Sequence, residues 1–335
     1  MPERPRVAVT RLIPEAGLQL LRDACEVRLW ESDMPPTPDE LDGLLDGVVG
    51  ALTLLTDIID GDVLDRHPTL KVVSNFAVGY DNVDVDAATA RNVAVCNTPG
   101  VLTQATAEFA FTLLVSAARR VVEAARYVEE GKWQTWGPKL LLGHDIAGAT
   151  LGIVGFGRIG KELARMATGF NMRILANDAY EDSKAAEEFN ITYVSLDELL
   201  QQSDFVSLHV ALTPETQKLI GSRELGLMKQ TAVLVNASRG PVVDTDALVI
   251  ALRTDEIFAA GLDVTDPEPL PVDHPLISLP NCIVVPHIAS ATVTTRDAMA
   301  ELAANNLIDV LHGKMPEVIV NPEVLTTLPS DGLGA

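Results

Sequence analysis

The chain has 335 residues, enough for two domains with separate cores, and a composition of 47% hydrophobic and 21% charged residues excludes a disordered chain. Its 25 Lys+Arg against 47 Asp+Glu give a formal net charge of -22. Such a surface repels phosphate backbones and anionic lipid, so no nucleic-acid or membrane partner is expected, and an anionic substrate would need a locally basic pocket.

From the start of the chain, Met1-Pro2-Glu3-Arg4 leads directly into a strand-like Val7-Ala8-Val9, leaving no room for an apolar signal region. No apolar run approaches membrane-spanning length, and the expected location is the cytoplasm. Val7–Thr10, Val27–Trp30, Val48–Leu52, Lys71–Ser74 and Val93–Asn97 are predicted as strands. Between them Glu15–Ala24, Asp39–Leu45, Asp62–Arg66 and Asp84–Arg91 are predicted as helices. The second of these follows Thr37-Pro38, a cap and then a proline suited to the first helical position. This βαβ rhythm implies a parallel sheet.

A single long helix is predicted from Gln104 to Glu130, with Phe109, Leu113 and Val121 in helical phase and Gly131 ending it. An irregular stretch containing Trp133 and Trp136 follows. A second βαβ series then has strands predicted at Leu151–Val154, Met172–Leu175, Ile191–Val194, Phe205–His209, Ala232–Asn236, Ala259–Asp263 and Cys282–Val285. A last helix, Thr292–His312, is closed by Gly313 and should return to the first domain. The expected fold is α/β, with two doubly wound, Rossmann-like domains and the first interrupted by the second.

Cys25, Cys96 and Cys282 are widely spaced, with no CxxC pair and no histidine at metal-ligand spacing. They suit a reducing cytosol as small apolar residues in or beside strands. The remaining histidines, His67, His144, His274 and His312, lie in turns, a loop and a last helical turn, and no metal is expected.

Gly155-Phe156-Gly157-Arg158-Ile159-Gly160 follows a predicted strand and opens a helix, and Asp178 ends the next strand. In that context the glycines read as a dinucleotide site. Gly155 permits the tight turn, Gly157 lets pyrophosphate approach the backbone, and Gly160 allows close helix–strand packing. The N–H groups of Arg158 and Ile159 would face the phosphates. A carboxylate at Asp178 can accept from a ribose 2′-hydroxyl and repels a 2′-phosphate, and Ala179-Tyr180-Glu181-Asp182 brings no arginine. NAD(H) is therefore expected in preference to NADP(H). The alternative is that Asp178 merely caps the following helix.

Three further motifs end second-domain strands: Val235-Asn236-Ala237-Ser238-Arg239-Gly240, Asp263-Val264-Thr265-Asp266-Pro267-Glu268-Pro269 and Val285-Pro286-His287-Ile288-Ala289-Ser290. Singly, Arg239 reads equally as a surface cation, Glu268 as a solvated loop residue and His287 as a polar group near a junction. Together with a nucleotide site they supply a carboxylate-binding cation, an acid/base and its partner, as hydride transfer to a 2-oxo acid requires.

With these motifs the sequence resembles the D-isomer-specific 2-hydroxyacid dehydrogenase family, most closely its glyoxylate/hydroxypyruvate reductase branch. The resemblance also includes Val78-Gly79-Tyr80-Asp81-Asn82, Asn97-Thr98-Pro99-Gly100, Thr106-Ala107-Glu108 and His209 to Pro214. It implies that His287 protonates the substrate carbonyl oxygen and that Glu268 hydrogen-bonds His287 and favours its charged form. It implies that Arg239 binds the substrate's carboxylate and carbonyl, with backbone N–H groups at Val78 and Gly79 also holding the carboxylate. Thr106 would contact the cofactor's phosphates. His209, Val210 and Pro214 would edge the adenine, and Ala237 and Asp263 would hold the carboxamide. Leu54 or Leu55 would line the substrate pocket.

The family arrangement assigns a substrate domain to 1–101 and 288–321, the NAD domain to 102–287 and a tail to 322–335. It also implies a homodimer in which the segment around Trp133–Gly143 embraces the partner. Ala211 departs from the family's usual proline. Val78 stands where phosphite dehydrogenases carry a lysine, which argues against phosphite oxidation. The absence of a further domain argues against long-form phosphoglycerate dehydrogenase. The competing readings are an enzyme for a bulkier D-2-hydroxy acid and a dinucleotide-sensing corepressor of the same fold.

Overall fold

A computed structural model describes residues 4–326. The chain divides into two compact units, one formed by residues up to Leu102 with those from Ala291 onward, the other by Thr103–Ser290.

The first unit begins with β1 (Arg6–Val9), α1 (Glu15–Ala24), β2 (Glu26–Leu29), α2 (Pro38–Leu45), β3 (Gly50–Thr53), α3 (Gly61–Arg66), β4 (Val72–Asn75), α4 (Val85–Ala90) and β5 (Ala94–Cys96). Its five strands are all parallel, in the order β2-β1-β3-β4-β5. Strands buried on both faces read as continuous apolar runs, which is why Val7–Val9 and Val72-Val73 are fully buried here. Thr37 caps α2 in a capping box with Glu40, and Pro38 takes the first helical position.

The second unit holds α5 (Thr103–Ala118), α6 (Val121–Glu129), β6 (Thr150–Val154), α7 (Arg158–Thr168), β7 (Arg173–Asn177), α8 (Ser183–Glu188), β8 (Ile191–Tyr193), α9 (Leu196–Gln202) and β9 (Phe205–Leu208). It continues with α10 (Ser222–Leu227), β10 (Val233–Asn236), α11 (Thr245–Arg253), β11 (Ala259–Leu262), α12 (Pro275–Ser278) and β12 (Cys282–Val284). Its seven parallel strands run β12-β11-β10-β9-β6-β7-β8. The winding reverses between β6 and β9, and in such sheets ligands bind beyond the strand C-termini at that reversal.

After the second unit, α13 (Val293–Leu311) returns to the first and packs on α1 and β4, with the Ser74 hydroxyl donating to the Ala303 carbonyl at 2.8 Å. The return expected of the last helix is therefore present.

The single helix expected over Gln104 to Glu130 is two. Arg120 stands between α5 and α6 with φ +53°, and its guanidinium forks onto Glu123 at 2.7 Å. The break has a tertiary cause. The Ala118 carbonyl accepts from the His144 N–H at 3.0 Å, and a Cβ on Gly143 would lie 2.2 Å from that oxygen.

The expected boundary at 288 also shifts. Ile288–Ser290 cluster with the second unit because the Asp263 carboxylate accepts from the amides of Ile288 and Ala289. Of the expected tail 322–335, Pro322–Thr326 is a short 3-10 helix with Val324 buried, and 327–335 lie outside the described residues. No described helix is long and apolar enough to cross a membrane, and no group of three or more potential metal ligands occurs among the described residues.

Candidate active site

Six strands of the second sheet deliver the chemistry-bearing residues to one edge, because all are parallel and each motif follows a strand end. After β6, Gly155 turns the chain at φ +92°, and a Cβ there would lie 2.6 Å from the His209 carbonyl carbon and the Val210 nitrogen. Only glycine accepts both the left-handed angle and the approach. A Cβ on Gly160 would lie 2.4 Å from the Gly155 oxygen, so α7 packs against the loop at backbone distance. A Cβ on Gly157 would meet nothing within 4 Å. The space above Gly157, at the N-terminus of the 11-residue α7, lies open where the N–H groups of Arg158 and Ile159 begin the helix. The open cradle, the helix N-terminus and the two crowded glycines fit a pyrophosphate, the anionic centre of a dinucleotide.

Asp178 follows β7. Its carboxylate accepts from the Phe156 N–H at 2.6 Å and from the Tyr180 N–H at 3.0 Å, so it is fixed against the glycine loop. It does not cap the next helix; Asp182 does, through the amides of Lys184 and Ala185. After β9, Nε2 of His209 lies 2.8 Å from the Ser207 hydroxyl. The residue is half-buried, but its Nδ1 is wholly buried and meets no partner among the described residues. Burial pushes the imidazole down to about 4, so it is neutral near pH 7. Val210 is half-buried beside it, and Pro214 is exposed in the following turn. Thr106 is buried within α5.

The loop after β10 is shaped by Asn236. Its Oδ1 accepts from the Ser238 N–H and hydroxyl at 3.0 and 2.8 Å, and its Nδ2 donates to the Arg239 carbonyl at 2.8 Å. Ala237 and Arg239 are half-buried on this loop. A Cβ on Gly240 would overlap the Thr265 carbonyl at 1.8 Å, so the loop lies directly against the Thr265–Asp266 backbone. That approach brings Arg239 to the same neighbourhood as Glu268, whose carboxyl feels the guanidinium charge.

Glu268 Oε1 lies 2.6 Å from Nδ1 of His287, and its Oε2 accepts from the Thr265 N–H at 3.3 Å. Burial works to raise the Glu268 carboxyl. The His287 hydrogen bond and charge, the Thr265 amide and Arg239 outweigh it, and the group lies below the usual glutamate range. The imidazole that faces Glu268 through Nδ1 keeps Nε2 for a further partner.

Asp263, buried at 1% exposure, fastens this loop. Its carboxylate accepts from Ile288 N at 2.7 Å and Ala289 N at 3.0 Å, and its carbonyl accepts from His287 N at 2.9 Å. Burial raises the Asp263 carboxyl, with the two amides pulling the other way. The bracing roles of Asp263, Asn236 and Thr265 were not read from sequence. Of these only Asn236 carried a local signal, an asparagine two residues before a serine amide at a strand end, the pattern of an Asx turn.

Val78 and Gly79 lie in the first unit, on the loop after β4. Asn97 Nδ2 donates to the Val78 carbonyl at 2.7 Å and Asn75 Nδ2 to the Gly79 carbonyl at 3.0 Å. Among the described residues no acceptor meets the N–H of either, so the pair offers two backbone donors to an anion.

Comparison with known proteins places this geometry in a family. A model of the NAD-binding domain of D-isomer specific 2-hydroxyacid dehydrogenases matches residues 111–289. A glyoxylate reductase of Korarchaeum cryptofilum is 51% identical over 97% of this chain and 98% of its own length. One of Thermococcus gammatolerans is 49% identical over 96% and 97%. Among solved structures, the TT0316 protein of Thermus thermophilus is 47% identical, with a TM-score of 0.89 over 94% of this chain and 99% of that one. An NADPH-dependent glyoxylate/hydroxypyruvate reductase of Sinorhizobium meliloti is 32% identical, with a TM-score of 0.82 over 95% and 97%. A family model matched over more than half of the chain, with relatives about half identical along nearly all of it, leaves one assignment: the chain belongs to the D-isomer-specific 2-hydroxyacid dehydrogenase family of oxidoreductases.

Proposed function

We propose that this enzyme reduces a short 2-oxo acid, glyoxylate or hydroxypyruvate, to the D-2-hydroxy acid, with NADH as the preferred cofactor. The observation that carries the reading is the Glu268–His287 pair at 2.6 Å with Arg239 in its electrostatic reach, on loops at the same sheet edge as the glycine cradle. The names of the Korarchaeum and Thermococcus relatives favour glyoxylate.

When bound, the reduced nicotinamide supplies the hydride that reaches the carbonyl carbon. Nε2 of His287 gives a proton to the carbonyl oxygen, while Glu268 holds Nδ1 and so fixes the ring's orientation. Arg239 receives the carboxylate and the carbonyl oxygen, where a permanently charged planar fork is suited to both. The N–H groups of Val78 and Gly79 hold the same carboxylate. On the cofactor's side, Thr106 takes the phosphate region, His209, Val210 and Pro214 edge the adenine, and Ala237 and Asp263 hold the carboxamide. Asp178 places a carboxylate at the ribose and repels a 2′-phosphate, with no arginine in Ala179–Asp182 to receive one. This distinguishes the chain's expected preference from the NADPH dependence of the Sinorhizobium protein.

The functional form in this reading is a cytoplasmic homodimer. Val121, Val128, Trp133, Trp136 and Leu142 are each at least half exposed, an apolar surface suited to a second copy. Cys25, Cys96 and Cys282 are buried free thiols, pushed by burial up to about 11, 12 and 12, in keeping with a reducing compartment. A sedimentation measurement at micromolar concentration should give a dimer; a monomer would overturn that form.

The experiment for the catalytic reading is a panel of glyoxylate, hydroxypyruvate, pyruvate and phenylpyruvate with NADH and with NADPH. Glyoxylate and hydroxypyruvate with NADH should give the highest kcat/KM. Phenylpyruvate turned over about tenfold better than glyoxylate would reject the short-substrate reading, and no turnover of any member would reject the enzymatic one.

A further inference from the structure

At the C-terminal edge of the first sheet five side chains form one hydrogen-bonded cluster that the chemistry above does not use. Thr10, Thr53, Asp57 and Asn75 are buried at 2% exposure or less, and Asn82 joins them from the loop before α4. Asn75 Nδ2 donates to the Gly79 carbonyl at 3.0 Å and to Asn82 Oδ1 at 3.1 Å, and the Thr53 hydroxyl donates to Asn75 Oδ1 at 3.1 Å. Asn82 Nδ2 donates to the Asp57 carbonyl at 2.8 Å and to the Leu54 carbonyl at 3.1 Å. Asp57 Oδ2 accepts from the Leu54 N–H at 2.7 Å and from the Thr10 hydroxyl.

Burying this many polar groups is costly unless they are paired. Asp57 Oδ1 meets no partner among the described residues, and burial raises the carboxyl above its ordinary range despite the Thr10 and Leu54 bonds. Packing alone would be served better by apolar residues, whereas the bonds made here end on two particular loops. One is the loop after β3, where the Leu54 N–H and the carbonyls of Leu54 and Asp57 are all held. The other is the loop after β4, where Gly79 is held. The Asn75–Asn82 contact joins these two sets directly, side chain to side chain.

We infer that Asn82 is a positioning residue that sets substrate length. It fixes the spacing between the Val78–Gly79 amides, which take the carboxylate, and the Leu54–Leu55 segment, which walls the substrate's side chain. The inference rests on the 2-oxo acid reading given above. A buried side-chain network of this kind holds its loops more rigidly than surface contacts would, and a rigid wall excludes substrates with a longer chain.

The test replaces Asn82 with Ala in the full-length protein and measures amide exchange and kinetics together. Peptides covering 52–58 and 76–81 should both exchange about tenfold faster, while those of 103–290 stay unchanged. The kcat/KM for glyoxylate should fall about tenfold, chiefly through KM, and the phenylpyruvate-to-glyoxylate ratio of kcat/KM should rise about tenfold. The Kd for NADH should hold within about twofold, since its expected contacts lie in the other unit.

If Asn82→Ala does not fold, Thr53→Val removes only the hydroxyl that orients Asn75 and should show the same pattern more weakly. Faster exchange in one loop alone would overturn the coupling. A lowered Tm with an unchanged substrate ratio would reduce Asn82 to a structural residue. A wild-type protein that reduces no 2-oxo acid would overturn the substrate-length role with the function itself, while the exchange result would still decide the coupling.

Discussion

Glu268 reaches His287 across neighbouring strands, with Oε1 2.6 Å from Nδ1, although the two residues enter on separate loops after β11 and β12. His287 stands at φ +53°, a left-handed angle that costs a non-glycine residue on the order of 1 kcal/mol or more. Asp263 offsets that cost by holding the His287 amide through its carbonyl and the next two amides through its carboxylate. The imidazole is therefore aimed by backbone geometry as well as by its carboxylate partner.

Arg239→Lys should act as a severe substitution. A lysine keeps the charge but loses the planar fork, and hydrogen bonds to charged groups are worth roughly 1.5–3 kcal/mol each. Glyoxylate kcat/KM should fall between about tenfold and a hundredfold, with NADH binding retained. Steady-state kinetics beside a fluorescence titration of NADH would check it. A kcat/KM within about twofold of wild type would remove Arg239 from the substrate's carboxylate.

Gly160 and Gly157 of the nucleotide loop should fail differently. Gly160→Ala puts a Cβ 2.4 Å from the Gly155 oxygen and should lower Tm. Gly157→Ala meets nothing within 4 Å and should change stability by about 1 kcal/mol at most, while weakening NADH binding about tenfold or more. Thermal melts with NADH titrations separate the cases. Unchanged NADH affinity in Gly157→Ala would mean that the cradle does not hold the pyrophosphate.

Much of the fold could be read from the chain, and the exceptions share a cause. The strand and helix series was legible because doubly covered strands are apolar runs and Thr37-Pro38 is a local start signal. The break at Arg120 was not, since Phe109, Leu113 and Val121 keep helical phase across it. The contact that ends α5 comes from His144, 26 residues beyond Ala118. At the site, the glycine loop and the His287 motif carry their meaning in a few adjacent residues. Asp263 was read only as a cofactor contact, because its partners Ile288 and Ala289 lie 25 and 26 residues away. Asn82 showed only as part of a motif, its links to Leu54 and Asp57 spanning 28 and 25 residues.

Cofactor preference should turn on Asp178, and the structure dictates the choice of variant. Asp178→Ala would also strip the Phe156 and Tyr180 amides of their acceptor, whereas Asp178→Asn keeps one. In Asp178→Asn the NADH-to-NADPH ratio of kcat/KM should fall about tenfold, on the order of 1.4 kcal/mol, with Tm lowered less than in Asp178→Ala. An unchanged ratio would mean that the carboxylate does not face the ribose.

The most direct measurement for the proton-transfer account is the pH profile of glyoxylate reduction in wild type and Glu268→Gln, with chemistry shown to be rate-limiting in both. The Glu268 carboxyl lies below its ordinary value, so it stays ionised as pH falls through the usual glutamate range and the pair is lost only below that. On the acid side, reduction should fall as Glu268 gains a proton and the pair is lost. Glutamine keeps the shape but cannot ionise, so the acid limb that reports loss of the ionised Glu268 in wild type should be absent from the variant, whose kcat/KM should be about tenfold lower above it. Coincident acid limbs and equal kcat/KM in the two proteins would contradict the assignment of proton transfer to the Glu268–His287 pair.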